Sequence, residues 1–197
     1  IFYGIKNARK EDIDRLSILV AMNPDEETGS THSFPWLTEL GTHAKRVLIC
    51  EPARANGSLV RARKGSAAFK VEFHGKSAHA GNNPQAGRNA AIAMMRFSTA
   101  LYEFNDFQRG TTYNPGVVSA GTAENVIPDY ASVVFDTRYW CDADGAEMQA
   151  KIEELAAKTW VEGVTATVTR LFHIPAMPLS DAAKTLDEDI AKAAKLA

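Results

Sequence analysis

The feature that most constrains the fold is the order of two hydrophobic patterns between residues 67 and 171. Strict alternation of apolar and polar residues predicts strands, and apolar residues at helical spacing predict helices. Alternation is found at 67–74 and 165–171, and helical spacing at 83–105 and 142–161. Two further strands are predicted at 112–121 and 131–139. The resulting order, β-α-β-β-α-β, predicts a complete α+β split-βαβ domain, with one four-stranded antiparallel sheet covered by two helices.

The two predicted helices have inward-facing apolar stripes. Asn83 and Pro84 are suited to the N-cap and first position of the first helix, and Asp142 or Asp144 can cap the second. Gly163 lies where a C-terminal cap of the second helix is expected. The predicted core positions are Ala86, Ala90, Met94, Phe97, Leu101 and Phe104 in the first helix, and Met148, Ile152 and Leu155 in the second.

A strand-helix-strand unit is predicted before this domain. Apolar runs at 16–22 and 47–50 predict two buried strands, and the helix between them is expected to start at Ser30 or Thr31 and to end near Leu40, before Gly41. A helical crossover makes the two strands parallel. Three carboxylates follow the carboxyl ends of these strands, where open α/β sheets bind ligands, and are expected to converge: Glu26, Glu27 and Glu51.

Two polar stretches divide the chain into three parts. The basic stretch 53–64 and the proline-containing stretch 173–180 are interpreted as linkers. The sequence therefore predicts a partial α/β domain at 1–60, a complete inserted domain at 61–173, and a returning segment at 174–197 that is mostly helical. The chain begins with Ile1 and its last helix has no stop signal, so we expect it to be part of a longer protein.

Charge and hydropathy exclude several partners. The chain has 22 basic and 24 acidic residues and a net charge of −2, and no Lys/Arg-rich run stands out as a footprint for nucleic acid or anionic lipid. Neither nucleic acid nor a membrane surface is therefore an expected partner. The longest apolar runs are about seven residues, far below the ~20 needed to cross a bilayer. A soluble protein is predicted, with the cytoplasm favoured over the periplasm. Cys50 and Cys141 form no paired motif and are interpreted as structural thiols.

The acidic turn at 23–30 is the strongest candidate for chemistry. Adjacent side chains on a turning backbone point in different directions, so Glu26 and Glu27 can perform different tasks. One could bind a metal while the other moves a proton. The alternative, a solvated acidic turn that favours the N-terminus of the next helix, remains open on these residues alone.

Five segments together resemble one family, the co-catalytic dinuclear zinc exopeptidases. This family includes glutamate carboxypeptidase (carboxypeptidase G-like), acetylornithine deacetylase, succinyl-diaminopimelate desuccinylase and aminoacylase. Glu51 before a proline and the GKSAHAG segment are most similar to the glutamate carboxypeptidase branch. The segments that carry the resemblance are 25–30 (DEETGS), 50–52 (CEP), 75–81 (GKSAHAG), 121–128 (GTAENVIP) and 136–138 (DTR).

The resemblance implies a zinc-dependent hydrolase that cleaves the amide bond of small N-acyl amino acids or peptides with a free carboxylate. It implies that Glu26 is the general base, and that Glu27 and Glu51 each ligate one of two zinc ions. Residues 1–60 would then belong to the zinc-exopeptidase catalytic domain, and 61–173 would be its lid and homodimerisation domain. His79 is implied to reach a neighbouring subunit's active site and stabilise the oxyanion, while Asn125 and Arg138 bind the substrate's terminal carboxylate.

Each lid residue also has a structural interpretation. His79 could be a surface-loop histidine, Asn125 a turn residue bonded to its own backbone, and Arg138 the partner of Asp136 in a surface ion pair.

The sequence departs from the family in lacking an H-x-D segment, a bridging Asp and a final His, so two carboxylates supply too few zinc ligands. We therefore expect this chain to be inactive alone, and a non-catalytic homodimerisation or binding module is the alternative function.

Overall fold

The chain begins with two short helices, α1 (Phe2–Asn7) and α2 (Lys10–Ile13), which are separated by extended backbone at Ala8 and Arg9. The structure, a computed structural model, describes residues 1–51 and 54–196. It divides the chain into two units, Ile1–Glu51 and Pro52–Ala197.

A third helix of the first unit, α3 (Phe34–His43), follows the acidic turn. It starts later than predicted and continues through Gly41. The start is displaced because Gly29 and Ser30 have φ values of 87° and 54°, which are incompatible with a helix. Pro35 occupies the first turn of α3, where a missing backbone N–H is tolerated.

The two predicted parallel strands of the first unit do not form. Neither 16–22 nor 47–50 is hydrogen-bonded as a strand, and no strand is found in the described residues 1–51. Leu19 is 71% exposed and Ile49 is 78% exposed. A buried strand needs neighbouring strands for its backbone groups and cover for its side chains, and residues 1–51 provide neither. The rim that was expected to gather three carboxylates is therefore absent from this unit.

The second unit contains the regular secondary structure expected from the alternating pattern. Its strands are β1 (Gly65–His74), β2 (Ala78–His79), β3 (Thr112–Ala120), β4 (Val126–Ile127), β5 (Tyr130–Tyr139) and β6 (Thr165–Ile174). Its helices are α4 (Ala90–Tyr102), α5 (Asp142–Ala156) and α6 (Asp181–Leu196). Four strands form one antiparallel sheet in the order β3-β5-β1-β6, so the predicted four-stranded antiparallel sheet with two helices is confirmed.

The core lies between one face of this sheet and the helices α4 and α5. Alternate residues of β1 and β5 point into it and are almost fully buried, as the alternation predicted. Phe97 of α4 is completely buried, and its ring lies 5.4 Å from the ring of Phe73, 5.9 Å from Phe135 and 6.4 Å from Trp160. One helix residue therefore contacts β1, β5 and the turn after α5.

Helix α4 starts six residues later than predicted. Asn83 and Pro84 begin a 3₁₀ turn (Pro84–Ala86), and Arg88 then forms a β-bridge with Lys76. Asn89 is the actual N-cap, and its Oδ1 accepts a 3.0 Å hydrogen bond from the backbone N–H of Ile92. Four of the six predicted stripe positions are in the core. Ala86 lies in the 3₁₀ turn before the helix and is half-buried, and Phe104 lies beyond the helix and is 47% exposed.

Helix α5 begins where expected but without the predicted side-chain cap. Cys141 is its N-cap residue and makes no capping hydrogen bond. Asp142 instead accepts a 2.9 Å hydrogen bond from the backbone N–H of Ala176, after β6. Gly163 has a φ of 75° but lies in a turn beyond the end of the helix at Ala156.

The two stretches predicted as linkers meet in the second unit. The backbone of Arg63 donates to Met177 at 2.8 Å and accepts from it at 2.9 Å. The first linker was predicted to begin at Ala53, which lies outside the described residues. The segments that lead into and out of the four-stranded domain thus lie side by side at one end of the sheet.

No helix within residues 1–51 and 54–196 is long and apolar enough to cross a membrane.

Candidate functional site

The three adjacent carboxylates of the acidic turn have different environments. Asp25 accepts hydrogen bonds from the backbone N–H groups of His32 and Ser33 at 2.9 and 3.1 Å, and from the Ser33 hydroxyl at 2.6 Å. These bonds, led by that from the Ser33 hydroxyl, hold the pKa of Asp25 well below its usual value. Asp25 therefore stabilises the turn that leads into α3 by accepting these hydrogen bonds.

Glu26 and Glu27 are exposed in a 3₁₀ turn (Glu26–Thr28), and Glu51 is exposed at the end of the first unit. None of the three has a side-chain hydrogen bond or ion pair within residues 1–51 and 54–196. In this part of the chain, no three His, Cys, Asp or Glu side chains are grouped closely enough to hold a metal ion. The described residues therefore do not fit a zinc site by themselves, and the three glutamate side chains are exposed and unpaired within them.

The hydrogen bonds of Asp25 predict a pH dependence of the first unit. A carboxylate whose pKa is lowered in the folded state adds stability that is fully present above its unfolded pKa, here 3.8, and is lost as the pH falls through the folded value. We expect the backbone amide NMR shifts of His32 and Ser33 to remain constant through pH 3.8 and to change only at lower pH. In Asp25→Asn the same amides should not titrate. Titration of the wild-type amides at the usual aspartate value would contradict the assignment.

In the second unit, two loops that are distant in sequence pair with each other. Strand β2 pairs with β4, so His79 lies opposite Val126 and Ala78 opposite Ile127. The backbone N–H of Ala80 donates to the carbonyl of Asn125 at 2.9 Å. The structure thus brings His79 and Asn125 together on adjacent segments. Beside them is a shallow cleft of about 530 Å³ lined by both loops, including Ala80, Asn89, Gly121, Glu124 and Pro128.

Two close backbone approaches hold these loops against α4. The N–H of Gly75 donates to Asp129 at 2.7 Å, and the N–H of Ala90 donates to Pro128 at 2.9 Å. A Cβ on Gly75 would lie 2.0 Å from the backbone oxygen of Arg88, so only glycine fits there. Gly75 is therefore a structural part of the loop that presents His79.

One nitrogen of the His79 ring is hydrogen-bonded to the backbone of the turn that follows it. Its Nδ1 accepts hydrogen bonds from the backbone N–H groups of Gly81 and Asn82, each at 3.1 Å. The side chain is exposed, so Nε2 is directed away from these two amides. The sequence pattern did not identify Gly81 and Asn82 as partners, although a glycine two residues after a histidine is compatible with such a turn.

Arg138 is at the opposite end of β5 from the Asn125 loop. Its Nε donates to Asp136 at 2.8 Å, and Asp136 also accepts from the Ser66 hydroxyl at 3.2 Å. The ion pair proposed as the structural interpretation therefore exists, but no other bond of the guanidinium is found in the described residues. Arg138 lies eight positions along β5 from Tyr130, the residue beside the loop, and eight positions of strand correspond to a rise of about 25 Å. Within one protomer, Arg138 and Asn125 cannot bind the same carboxylate.

The sheet face opposite the helices is polar near the paired loops. Lys70 bonds Glu72 at 2.7 Å, and the Tyr130 hydroxyl donates to the same carboxylate oxygen at 2.6 Å. The bond from Lys70, followed by that from Tyr130, lowers the pKa of Glu72, and Glu72 in turn raises the pKa of Lys70. The charges of Lys70 and Glu72 thus pair with each other on this face of the sheet.

Comparison with known proteins places this domain in a family. Residues 61–164 match the family model described as "Peptidase dimerisation domain". Carboxypeptidase G2 of Pseudomonas sp. (strain RS-16) is 30% identical over 155 residues, which are 78% of this chain and 36% of that protein. Acetylornithine deacetylase of Myxococcus xanthus is 33% identical over 133 residues, covering 61% of this chain and 34% of that protein.

A solved structure has the same fold. The aminobenzoyl-glutamate utilization protein from Klebsiella pneumoniae aligns with a TM-score of 0.55 and 27% identity, over 65% of this chain and 33% of that chain. The present chain thus spans about a third of the length of these relatives. The resemblance inferred from the sequence is confirmed, and the chain belongs to the peptidase dimerisation domain family.

Proposed function

We propose that this chain provides the lid, the dimer contact and part of the catalytic machinery of a zinc-dependent metallopeptidase or amidohydrolase of the glutamate carboxypeptidase type. Its substrates would be small N-acyl amino acids or peptides with a free carboxylate. The pairing of β2 with β4 is the observation that supports this most strongly, because it places His79 beside Asn125 on two segments that both resemble the family. The family match over 61–164 supports the same assignment.

The proposed roles in the acidic turn follow from which carboxylates are free. Asp25 is occupied by Ser33 and His32, whereas Glu26 and Glu27 have no partner in the described part of the chain. In the proposal, Glu26 is the general base, and Glu27 and Glu51 are zinc ligands. Two carboxylates do not complete the usual four-coordinate site of zinc, so we derive no step through the metal.

The substrate-binding roles require two protomers. Arg138 lies about 25 Å along β5 from the Asn125 loop, so the two side chains can meet at one substrate only if different subunits supply them. The guanidinium keeps its two terminal nitrogens for a carboxylate while Asp136 holds its Nε. In the proposed homodimer, one subunit would contribute His79 and Asn125, and its partner Arg138.

The outer edge of β3 is the surface that we propose for the dimer contact. Among the strands that the structure describes, β3 pairs only with β5, and on it Val117 is 62% exposed and Val118 is 58% exposed. An unpaired edge with exposed apolar side chains favours pairing with another strand. Lysine on such an edge opposes pairing, so we expect Val117→Lys to convert a dimer to a monomer in light scattering. Leu171→Lys, on the other edge strand β6 and 52% exposed, is the matched control and should remain dimeric.

A wild-type monomer at high protein concentration would contradict the dimer. A Val117→Lys variant that remains dimeric would leave the dimer intact but contradict the proposed contact at β3, which would then lie elsewhere on the domain.

The test of the catalytic proposal has two stages. This chain, incubated with zinc and an N-acyl amino acid, should give no turnover because its described residues group no complete metal site. Clear metal-dependent hydrolysis by the chain would contradict that expectation. The protein encoded by the whole gene should hydrolyse the same substrate. If it does not, the second candidate is favoured, namely a non-catalytic homodimerisation module.

A further inference from the structure

We propose that the turn at 79–82 fixes the imidazole of His79 in its Nε2–H tautomer, so that the exposed side of the ring is a hydrogen-bond donor. The positioning groups are the backbone amides of Gly81 and Asn82. The inference rests on the proposed function only for the identity of the acceptor, a carbonyl or oxyanion of the substrate. The tautomer itself follows from the geometry of this chain.

Hydrogen bonding at Nδ1 determines where the proton is. A neutral imidazole has one donor nitrogen and one acceptor nitrogen. Nδ1 of His79 lies 3.1 Å from two backbone nitrogens, and both groups point their N–H at it. A proton on Nδ1 would oppose two donors, whereas a lone pair on Nδ1 accepts from both. The neutral ring must therefore carry its proton on Nε2.

The backbone around His79 prevents the amides from turning away. His79 is held in β2 opposite Val126, and its carbonyl accepts a 3.1 Å hydrogen bond from the N–H of Asn83. Ala80, the next residue, donates to Asn125 at 2.9 Å. The turn is thus fixed at both ends, and the two amides that face Nδ1 belong to the main chain.

This arrangement separates two chemical roles for His79. A ring with Nε2–H can donate to an oxygen on which negative charge develops, and such preorganised donors stabilise transition states. The same ring cannot accept a proton at Nε2 without moving its own proton to Nδ1 and losing both backbone bonds. His79 is therefore suited to bind an oxygen, and the transfer of a proton from water would fall to another group, Glu26 in the proposed function.

The tautomer can be measured directly on this chain. Long-range ¹H–¹⁵N correlation NMR at a pH where the ring is neutral distinguishes a protonated from an unprotonated ring nitrogen. Two backbone hydrogen bonds should favour Nε2–H over Nδ1–H by roughly ten- to a hundredfold more than in an unbonded histidine. His43 in α3 is the internal reference, because its ring has no hydrogen-bond partner in the described part of the chain.

Two substitutions at one position separate the amide from the side-chain volume. Gly81→Pro removes one of the two N–H donors and should lower the preference for Nε2–H several-fold. Gly81→Ala keeps the donor, and its Cβ would lie 3.5 Å from Cε1 of His79, an ordinary contact, so its tautomer ratio should equal that of the wild type.

The inference is overturned if wild-type His79 has a proton on Nδ1 or the same tautomer ratio as His43. It is also overturned if folded Gly81→Pro and Gly81→Ala give equal ratios. If the proline variant does not fold, the wild-type measurement decides. The NMR measurement needs no metal or substrate, so its result does not depend on the proposed function. If His79→Ala leaves the turnover of the full-length enzyme unchanged, the proposed function is refuted and the tautomer assignment is not affected.

Discussion

Phe97→Ala should lower the free energy of unfolding of the second unit by about 3–5 kcal/mol, the cost typical of removing a fully buried phenylalanine. Phe97 is 0% exposed and its ring lies within 5.4–6.4 Å of three other aromatic rings, on β1, on β5 and after α5. Its removal leaves a cavity where α4 meets the sheet. Urea unfolding followed by circular dichroism measures the loss, as a fall in midpoint at unchanged slope.

Phe104→Ala is the matched control for this prediction. The sequence assigned both phenylalanines to the same core stripe, but Phe104 is 47% exposed and contacts the Lys151 ammonium at 4.7 Å from its ring. We expect its substitution to cost about 1 kcal/mol or less, the range of an exposed cation–π contact. Equal losses for the two variants would mean that α4 packs as the sequence predicted, with both side chains in the core.

The fold of the second unit could be predicted because its signals are local and agree with one another. The alternating residues of β1 and β5 are buried on one face as expected. The start of α4 could not be predicted, because it depends on the contact of Arg88 with Lys76, which the sequence does not reveal. Asn83 and Pro84, which have the sequence preferences of a helix start, begin a 3₁₀ turn instead.

The first unit shows the opposite case. The apolar residues of 16–22 and 47–50 have the composition of buried strands, but a strand exists only through hydrogen bonds to a neighbour. Residues 1–51 provide no such neighbour, and side chains such as Leu16 remain 62% exposed. Their composition favours strands, but without hydrogen-bonded neighbours within residues 1–51 these segments form no strand.

The sequence identified the candidate site residues but not their arrangement in space. His79 and Asn125 were identified through separate segments, and the pairing of β2 with β4 brings them together. Arg138 was identified with the same substrate role, yet the length of β5 separates it from that loop. A sequence pattern gives no distance between segments, so it could not distinguish a site within one protomer from a site shared by two.

In the complete protein that carries this chain, Glu26→Gln should lower kcat by roughly 10²–10⁴-fold, the contribution of a general base, and leave the zinc content unchanged. The structure supports a distinct role for Glu26 because its neighbour Asp25 is occupied by three hydrogen bonds at the start of α3, while Glu26 has no partner in the described residues. Turnover and bound zinc, measured on the same samples, test the assignment.

Substitution of the neighbouring carboxylates distinguishes a base from a ligand and from a helix cap. Glu27→Gln should lose zinc together with turnover, since an amide oxygen is a weaker zinc ligand than a carboxylate. Asp25→Asn should chiefly destabilise the start of α3, where its carboxylate accepts from His32 and Ser33. If Glu26→Gln keeps full turnover, Glu26 is not the base. If it loses zinc as Glu27→Gln does, both glutamates are ligands and the proton must go elsewhere.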